Sequence, residues 1–202
     1  MANTSKIMGC RPLGPVIRAN VYKHVTGVAI YRYQLSTLHG SGYADTATYT
    51  GSAGQALLGS VIGFQEGDWS PANSTYSGYL PANPASVDAN GYVNVLIADS
   101  PEQLFLMEED TGGTALTQSA VGLGCVPTLI GTTGSTISGV SHAVLDRSLS
   151  GTAPCTNLNL QLIKLWDKPD NAYGNFAKWV VRIADHQYNR VNFPVANGSV
   201  FI

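Results

Sequence analysis

The chain has 202 residues, of which 12% are charged and 44% apolar, and its formal net charge is −2. The charged share is about half that of an ordinary soluble domain, and no basic run is present, which excludes the electrostatic footprint of a nucleic-acid binder. The longest apolar stretches are short and interrupted, so no membrane partner is expected, and the opening MANTSKIMGCRPLGP lacks the apolar core of a secretory signal.

Residues 1–25 read as an extended N-terminal arm, because Pro12, Gly14 and Pro15 prevent a helix there. The arm is too polar to order itself on a local core, so it is expected to lie against a surface, another chain's being one candidate. Residues 26–202 read as a single β domain. VAIYRYQL (Val28 to Leu35) is β-branched and aromatic and predicts a strand. ALLGSVIGFQ (Ala56 to Gln65) predicts another, in which Gly59 and Gly63 point to a bulge or a close backbone approach. A long loop is expected over 66–90, with three prolines and the aromatic residues Trp69, Tyr76 and Tyr79. Such residues bury large areas at low entropic cost, which makes them candidates for a subunit interface. The alternative is that they fold back onto their own core.

GYVNVLIAD places Val93, Val95 and Ile97 on one face. QLFLMEED places Leu104 and Leu106 on one face and Phe105 and Met107 on the other, as in a central strand. The short connector DSPE predicts that the two pair as a hairpin. TALTQSAVGLG, residues 114–124, predicts a short helix ended by Gly122 or Gly124. PTLIGTTGSTISGVSHAVLD reads as short strands and turns. LNLQLIKLW alternates through Leu158, Leu160 and Leu162, then shifts phase to Ile163 and Leu165, which predicts a β-bulge. After the long turn DKPDNAYGN, AKWVVRIADHQY places Trp179, Val181 and Ile183 on one face and Lys178, Val180 and Arg182 on the other. Many short strands with little helix predict an all-β fold, a sandwich or a closed barrel of short antiparallel strands carrying the extended arm.

Candidate chemistry is sparse. Cys10, Cys125 and Cys155 are odd in number and lack metal-like spacing, and His24, His39, His142 and His186 stand far apart, so reduced thiols and no metal are expected. In Glu108-Glu109-Asp110, the first and third acids would share a strand face, roughly 7 Å apart. That spacing serves a hydrolase pair or one ion only if further partners converge. A solvated strand end, with Asp110 capping the turn into Thr-Gly-Gly, is the simpler reading. Ser141 and His142 would point to opposite sides of a strand, and no G-x-S-x-G elbow is present. DKPDNAYGN does not match a calcium loop, and GTTGSTISG lacks the lysine of a phosphate-binding loop. No catalytic residue and no cofactor is therefore assigned, and the chain reads as a structural or binding module rather than an enzyme.

The run VLIADSPEQLFLMEEDTGGTALTQSAVG resembles a stretch of tailed-phage virion proteins: a strand, an Asp-x-Pro turn, a second strand ending in acids, a glycine turn and an Ala-rich segment. SGVSHAVLD, followed by LNLQLIKLWDKPDNAYGNFAKWVVRIADHQY, is similar to the same proteins, as are the opening GCRPLG and the run ALLGSVIGF. The likeness covers Gly91 to Tyr188 well and the first ninety residues loosely. It implies a capsid decoration, or cement, protein, made in the host cytoplasm and carried on the capsid exterior of the virion. Its implied partners are the major capsid protein and two further copies of itself in a homotrimer. On this reading Arg11, Pro12 and Arg18 of the arm are expected to contact the shell, and Trp69, Tyr76 and Tyr79 a neighbouring subunit. The rival readings are a fibre or receptor module that binds glycans through an aromatic cleft, and a hydrolase using Glu108 and Asp110.

Overall fold

The computed structural model describes residues 3–25, 27–47, 55–65, 78–84, 87–150 and 158–189. They form strands β1 (Arg11–Pro12), β2 (Ala19–Val25), β3 (Ile30–Tyr31), β4 (Leu35–Leu38), β5 (Ala44–Thr46), β6 (Gly59–Gln65) and β7 (Tyr79–Leu80). There follow β8 (Tyr92–Ala98), β9 (Leu104–Glu108), β10 (Gly124–Cys125), β11 (Pro127–Gly134), β12 (Ser141–Leu145), β13 (Leu160–Leu165) and β14 (Lys178–Ile183). The fold is all-β. Strands β2-β5-β4-β6-β8 close a barrel, and β1-β9-β14-β13-β10 form a five-stranded sheet beside it. Two small ladders, β11-β12 and β3-β7, complete the structure. Among the described residues no helix is long and apolar enough to cross a membrane.

Alternation explains the cores. Val61, Phe64, Val93, Val95 and Ile97 fill the barrel, with Ile30 and Leu80 from the β3-β7 pair. A second cluster joins Phe105, Met107, Leu160, Leu162 and Trp179 of the sheet to Leu35 and Ala98 of the barrel, so both units share one apolar seam. β9 and β14 are buried on both faces, as central strands must be. The phase slip in the leucine-rich strand is a bulge: Leu162 pairs with Val181, but Lys164 pairs with Val180. The glycines of β6 behave as their position suggests. The ladder to β8 shifts between Val61 and Gly63, and a Cβ at Gly59 would run into the carbonyl of Ala98.

Several expectations are corrected. Val28 to Leu35 is not one strand, because Tyr33 takes a left-handed conformation (φ 62) and separates β3 from β4. That kink is held by backbone bonds from Cys10 N to Tyr33 O (2.7 Å) and from Tyr33 N to Val61 O (2.6 Å). The helix expected over 114–124 is a single 3-10 turn, Gln118–Ala120. β8 and β9 do not form a hairpin. β8 lies between β2 and β6 in the barrel, and β9 lies between β1 and β14 in the sheet.

The arm explains why. Its last residues, Ala19–Val25, are barrel strand β2 rather than an extended tail, and Arg11–Pro12 forms the sheet edge. β2 pairs with β8 from Ala19↔Ala98 to Val25↔Tyr92. β1 pairs with β9 through Pro12↔Phe105 and Arg11↔Leu106. Pro12 and Ala19 are as far apart in sequence as Ala98 and Phe105, so both ladders keep one register. The arm and the segment 92–106 are thus one long antiparallel ribbon that bends from the barrel into the sheet.

Gly59→Ala should cost about 3 kcal/mol or more, since backbone rather than a movable side chain blocks the added carbon. Gly63→Ala, whose new Cβ would sit 3.8 Å from Leu96 Cβ, should change stability by no more than about 0.5 kcal/mol. Urea midpoints of the two variants check this contrast.

Candidate functional site

The three adjacent acids are not a solvated strand end. Glu108 and Glu109 are both fully buried. Glu108 seats the arm: its carboxylate accepts from Ser5 Oγ (2.8 Å) and from the backbone N–H of Lys6 (2.7 Å). Glu109 points to the opposite face, where Trp179 Nε1 donates to it at 2.9 Å and Arg147 Nε lies 3.7 Å away. Asp110 accepts from Gly112 N at 3.2 Å, which is the turn cap its sequence context suggests, and from Arg147 N at 3.2 Å. Each acid therefore has its own partners, and Glu108 and Asp110 do not converge as a hydrolase pair. Ser141 donates to the carbonyl of Thr133, while His142 contacts Thr132. Cys10 and Cys125 are buried, and Cys155 lies outside the described residues. Among the described residues no group of three or more His, Cys, Asp or Glu could hold a metal ion.

The largest polar cluster sits at the bend of the ribbon. Buried Asp99 accepts from Arg18 Nε (2.8 Å), Asn20 Nδ2 (2.8 Å) and the hydroxyl of Tyr22. Its backbone oxygen accepts from Arg18 Nη2 at 2.7 Å. Gln103 completes the bend, accepting from Ile17 N at 2.9 Å and donating to Leu13 O at 3.3 Å. Burial alone would raise the Asp99 carboxyl, but the bonds from Tyr22, Asn20 and Arg18 outweigh it and hold it below the ordinary carboxylate value.

The residues expected to make contacts are dispersed. Arg11 is exposed and Pro12 half-buried on the sheet edge, where a charge and a proline discourage further strand pairing. Arg18 is committed to Asp99 and lies over the ring of Tyr188, although 46% of its side chain remains exposed. Tyr79 stacks on Tyr31 (centroids 5.5 Å apart) and packs against the barrel core. Trp69 and Tyr76 lie outside the described residues, as does most of the 66–90 loop.

Sequence reasoning missed two surface features. Half of the exposed large hydrophobic residues among those described fall between Ile7 and Val28: Ile7, Val16, Ile17, Val21, Val25 and Val28. The alternation Val21, Lys23, Val25 in ANVYKHV was the available signal, obscured by assigning the segment to an arm. The other is Ile137, which is 98% exposed at the tip of the β11-β12 hairpin. Its loop is firmly built, with Ser135 Oγ accepting from the N–H groups of Ile137 and Ser138, and Gly139 N donating to Ser135 O. Arg32 Nη2 also donates to Ser138 O, tying the tip to the body. Finally, an open cleft of about 380 Å³ lies at one end of the barrel, lined by His24, Val25, Val28, His39, Ser41, Tyr43, Ala44 and Asp45. Comparison with protein-family models, with curated proteins and with solved structures finds no match.

Burial pushes the Glu109 carboxyl up to about 7, against the bond from Trp179 and the nearby Arg147 charge. The native state then holds this proton more tightly than the unfolded chain, whose carboxyl keeps its ordinary value of 4.5. Stability from this group is complete at acid pH and falls as pH rises from 4.5 towards 7. Glu109→Gln should flatten that decline, and denaturant titrations of both proteins across this window check it.

Proposed function

We propose that the chain is a virion structural protein: a decoration subunit that binds the outer surface of an icosahedral phage head and stabilises it. The observation that carries this reading is the exposed apolar surface of the N-terminal segment, Val16, Ile17, Val21, Val25 and Val28, on a chain with so few surface charges. Interface cores are depleted in Lys, Glu and Asp and exclude water from apolar side chains, and this run of exposed apolar residues, interrupted on its strand face by Lys23, is the densest among those described. The likeness of Gly91 to Tyr188 to tailed-phage virion proteins gives the same direction.

The role asked of such a protein is mechanical. It must bridge capsid subunits and oppose the outward pressure of packaged DNA, with the major capsid protein as partner and a homotrimer as the working unit. A segment paired into both sheets suits this better than a free tail, because load applied to it passes into the barrel and the sheet together. Arg11 and Pro12 precede the apolar segment in sequence and Arg18 lies within it, and the three are proposed to join it in the shell contact. Trp69 and Tyr76 remain the proposed subunit contacts, whereas Tyr79 packs on its own barrel core, and no catalytic role is proposed.

The buried acids all serve the framework, so the test is binding rather than turnover. The purified chain should sediment as a trimer and co-sediment with undecorated, expanded heads. Ile17→Asp and Val21→Asp lie on the surface and should keep the native melting temperature, yet weaken head binding by about 30-fold, the effect of losing a central contact worth about 2 kcal/mol. A wild-type chain that ignores heads, or folded variants that bind as well as wild type, would refute the reading.

A further inference from the structure

We infer that the cleft at the end of the barrel is a saccharide-binding site, which shares Val25 and Val28 with the apolar segment assigned to the shell. Its volume, about 380 Å³, is that of a small-ligand pocket. Its lining combines three elements that a sugar ring requires: an aromatic face, a hydrogen-bond donor and a charged acceptor.

The aromatic face is Tyr43. Its ring stacks on Tyr92, with centroids 4.6 Å apart and planes 24° apart, and Tyr92 does not line the cleft. One face is thus backed by a second ring while the residue stays half-exposed to the cleft. The donor is His39. Its Nδ1 is taken up within the turn, 3.3 Å from the N–H of Ser41 and 3.0 Å from Ser41 Oγ. On this assignment the other ring nitrogen makes the contact to a ligand oxygen. The acceptor is Asp45, an exposed residue of the lining whose Oδ1 accepts from Thr46 N at 2.7 Å. Val25 and Val28 add apolar side chains to the lining.

The geometry is held in advance. His39, Ser41 and Tyr43 lie on the β4-β5 turn, closed by bonds from His39 N to Tyr43 O and from Gly42 N to His39 O, each 2.8 Å. Buried His24 stands beneath, bonded through Nδ1 to Ala44 O at 2.8 Å, and His24↔Ala44 is the register pair that joins β2 to β5. A flat apolar ring face on Tyr43, with hydroxyls reaching His39 and Asp45, satisfies every group at little ordering cost. Carbohydrate recognition needs alternating donors and acceptors around an apolar face, and a purely apolar peptide side chain would leave Asp45 and His39 unused.

The test is saturation-transfer NMR on the isolated chain, with methyl glycosides of glucose, galactose, mannose and N-acetylglucosamine as probes. At least one should receive saturation, concentrated on the protons of one ring face. Tyr43→Ala should abolish that transfer, Tyr43→Phe should retain it, and Asp45→Asn should reduce it at least tenfold. Asp45 is exposed, so its variant stays informative if Tyr43→Ala fails to fold. No transfer to any of the four probes, or transfer unchanged in folded Tyr43→Ala or in Asp45→Asn, overturns the assignment. Because the readout uses no capsid, it is separable from the decoration reading.

Discussion

The pairing of the N-terminal segment with residues 92–106, in one register on both sides of the bend, is the constraint on which the rest of the fold depends. A strand pair that ran straight would serve one sheet. This pair bends at Arg18 and Asp99 and serves two. The bend exposes backbone groups to a buried environment, where an unpartnered donor or acceptor costs about 1–3 kcal/mol. Asp99 and Gln103 remove that cost by bonding to both sides of the turn. Barrel and sheet are then fixed to one another through covalent strands as well as through the shared apolar seam.

Charge is used sparingly, and three acids are turned inwards. Glu108 holds the start of the arm, Glu109 faces Trp179 and Arg147, and Asp99 holds the bend. The buried Glu109–Arg147 pair contributes little net stability over an apolar equivalent, but removing one partner is expensive. The effect of the three acids is to fix which segments meet. The surface outside is a mixture of small polar residues and scattered charges, interrupted by valines and isoleucines, most densely between Ile7 and Val28. The firmly built turn carrying Ile137 belongs to the same pattern, since a rigid loop presents an apolar side chain without an ordering cost on binding.

Period-two patterns were legible wherever a strand was long and its neighbours regular. β8, β9 and β14, the bulge at Ile163 and the close approach at Gly59 all follow from local sequence. Failures came where distant residues decided the outcome. DSPE has the composition of a hairpin turn, but Asp99 is claimed by Arg18, Asn20 and Tyr22, which no local window contains. The acids at 108–110 look solvated because their partners, Ser5, Lys6, Arg147 and Trp179, lie far off in the chain. Pro12, Gly14 and Pro15 disguised a strand-forming segment as a tail, since β2 begins only after them. The cleft was invisible for a related reason: its walls come from the β2 end and the β4-β5 turn, which meet only when the barrel closes at His24 and Ala44.

Native-state hydrogen exchange, read by mass spectrometry, tests the central claim most directly. If the ribbon is one cooperative element, amides of Ala19–Val25 and of Tyr92–Ala98 should exchange at the same slow rate, and should lose protection together when Asp99 is replaced by Ala. Rapid exchange over 11–25 beside a protected 92–98 would contradict the account. It would make the N-terminal segment an accessory to the fold and not its tie.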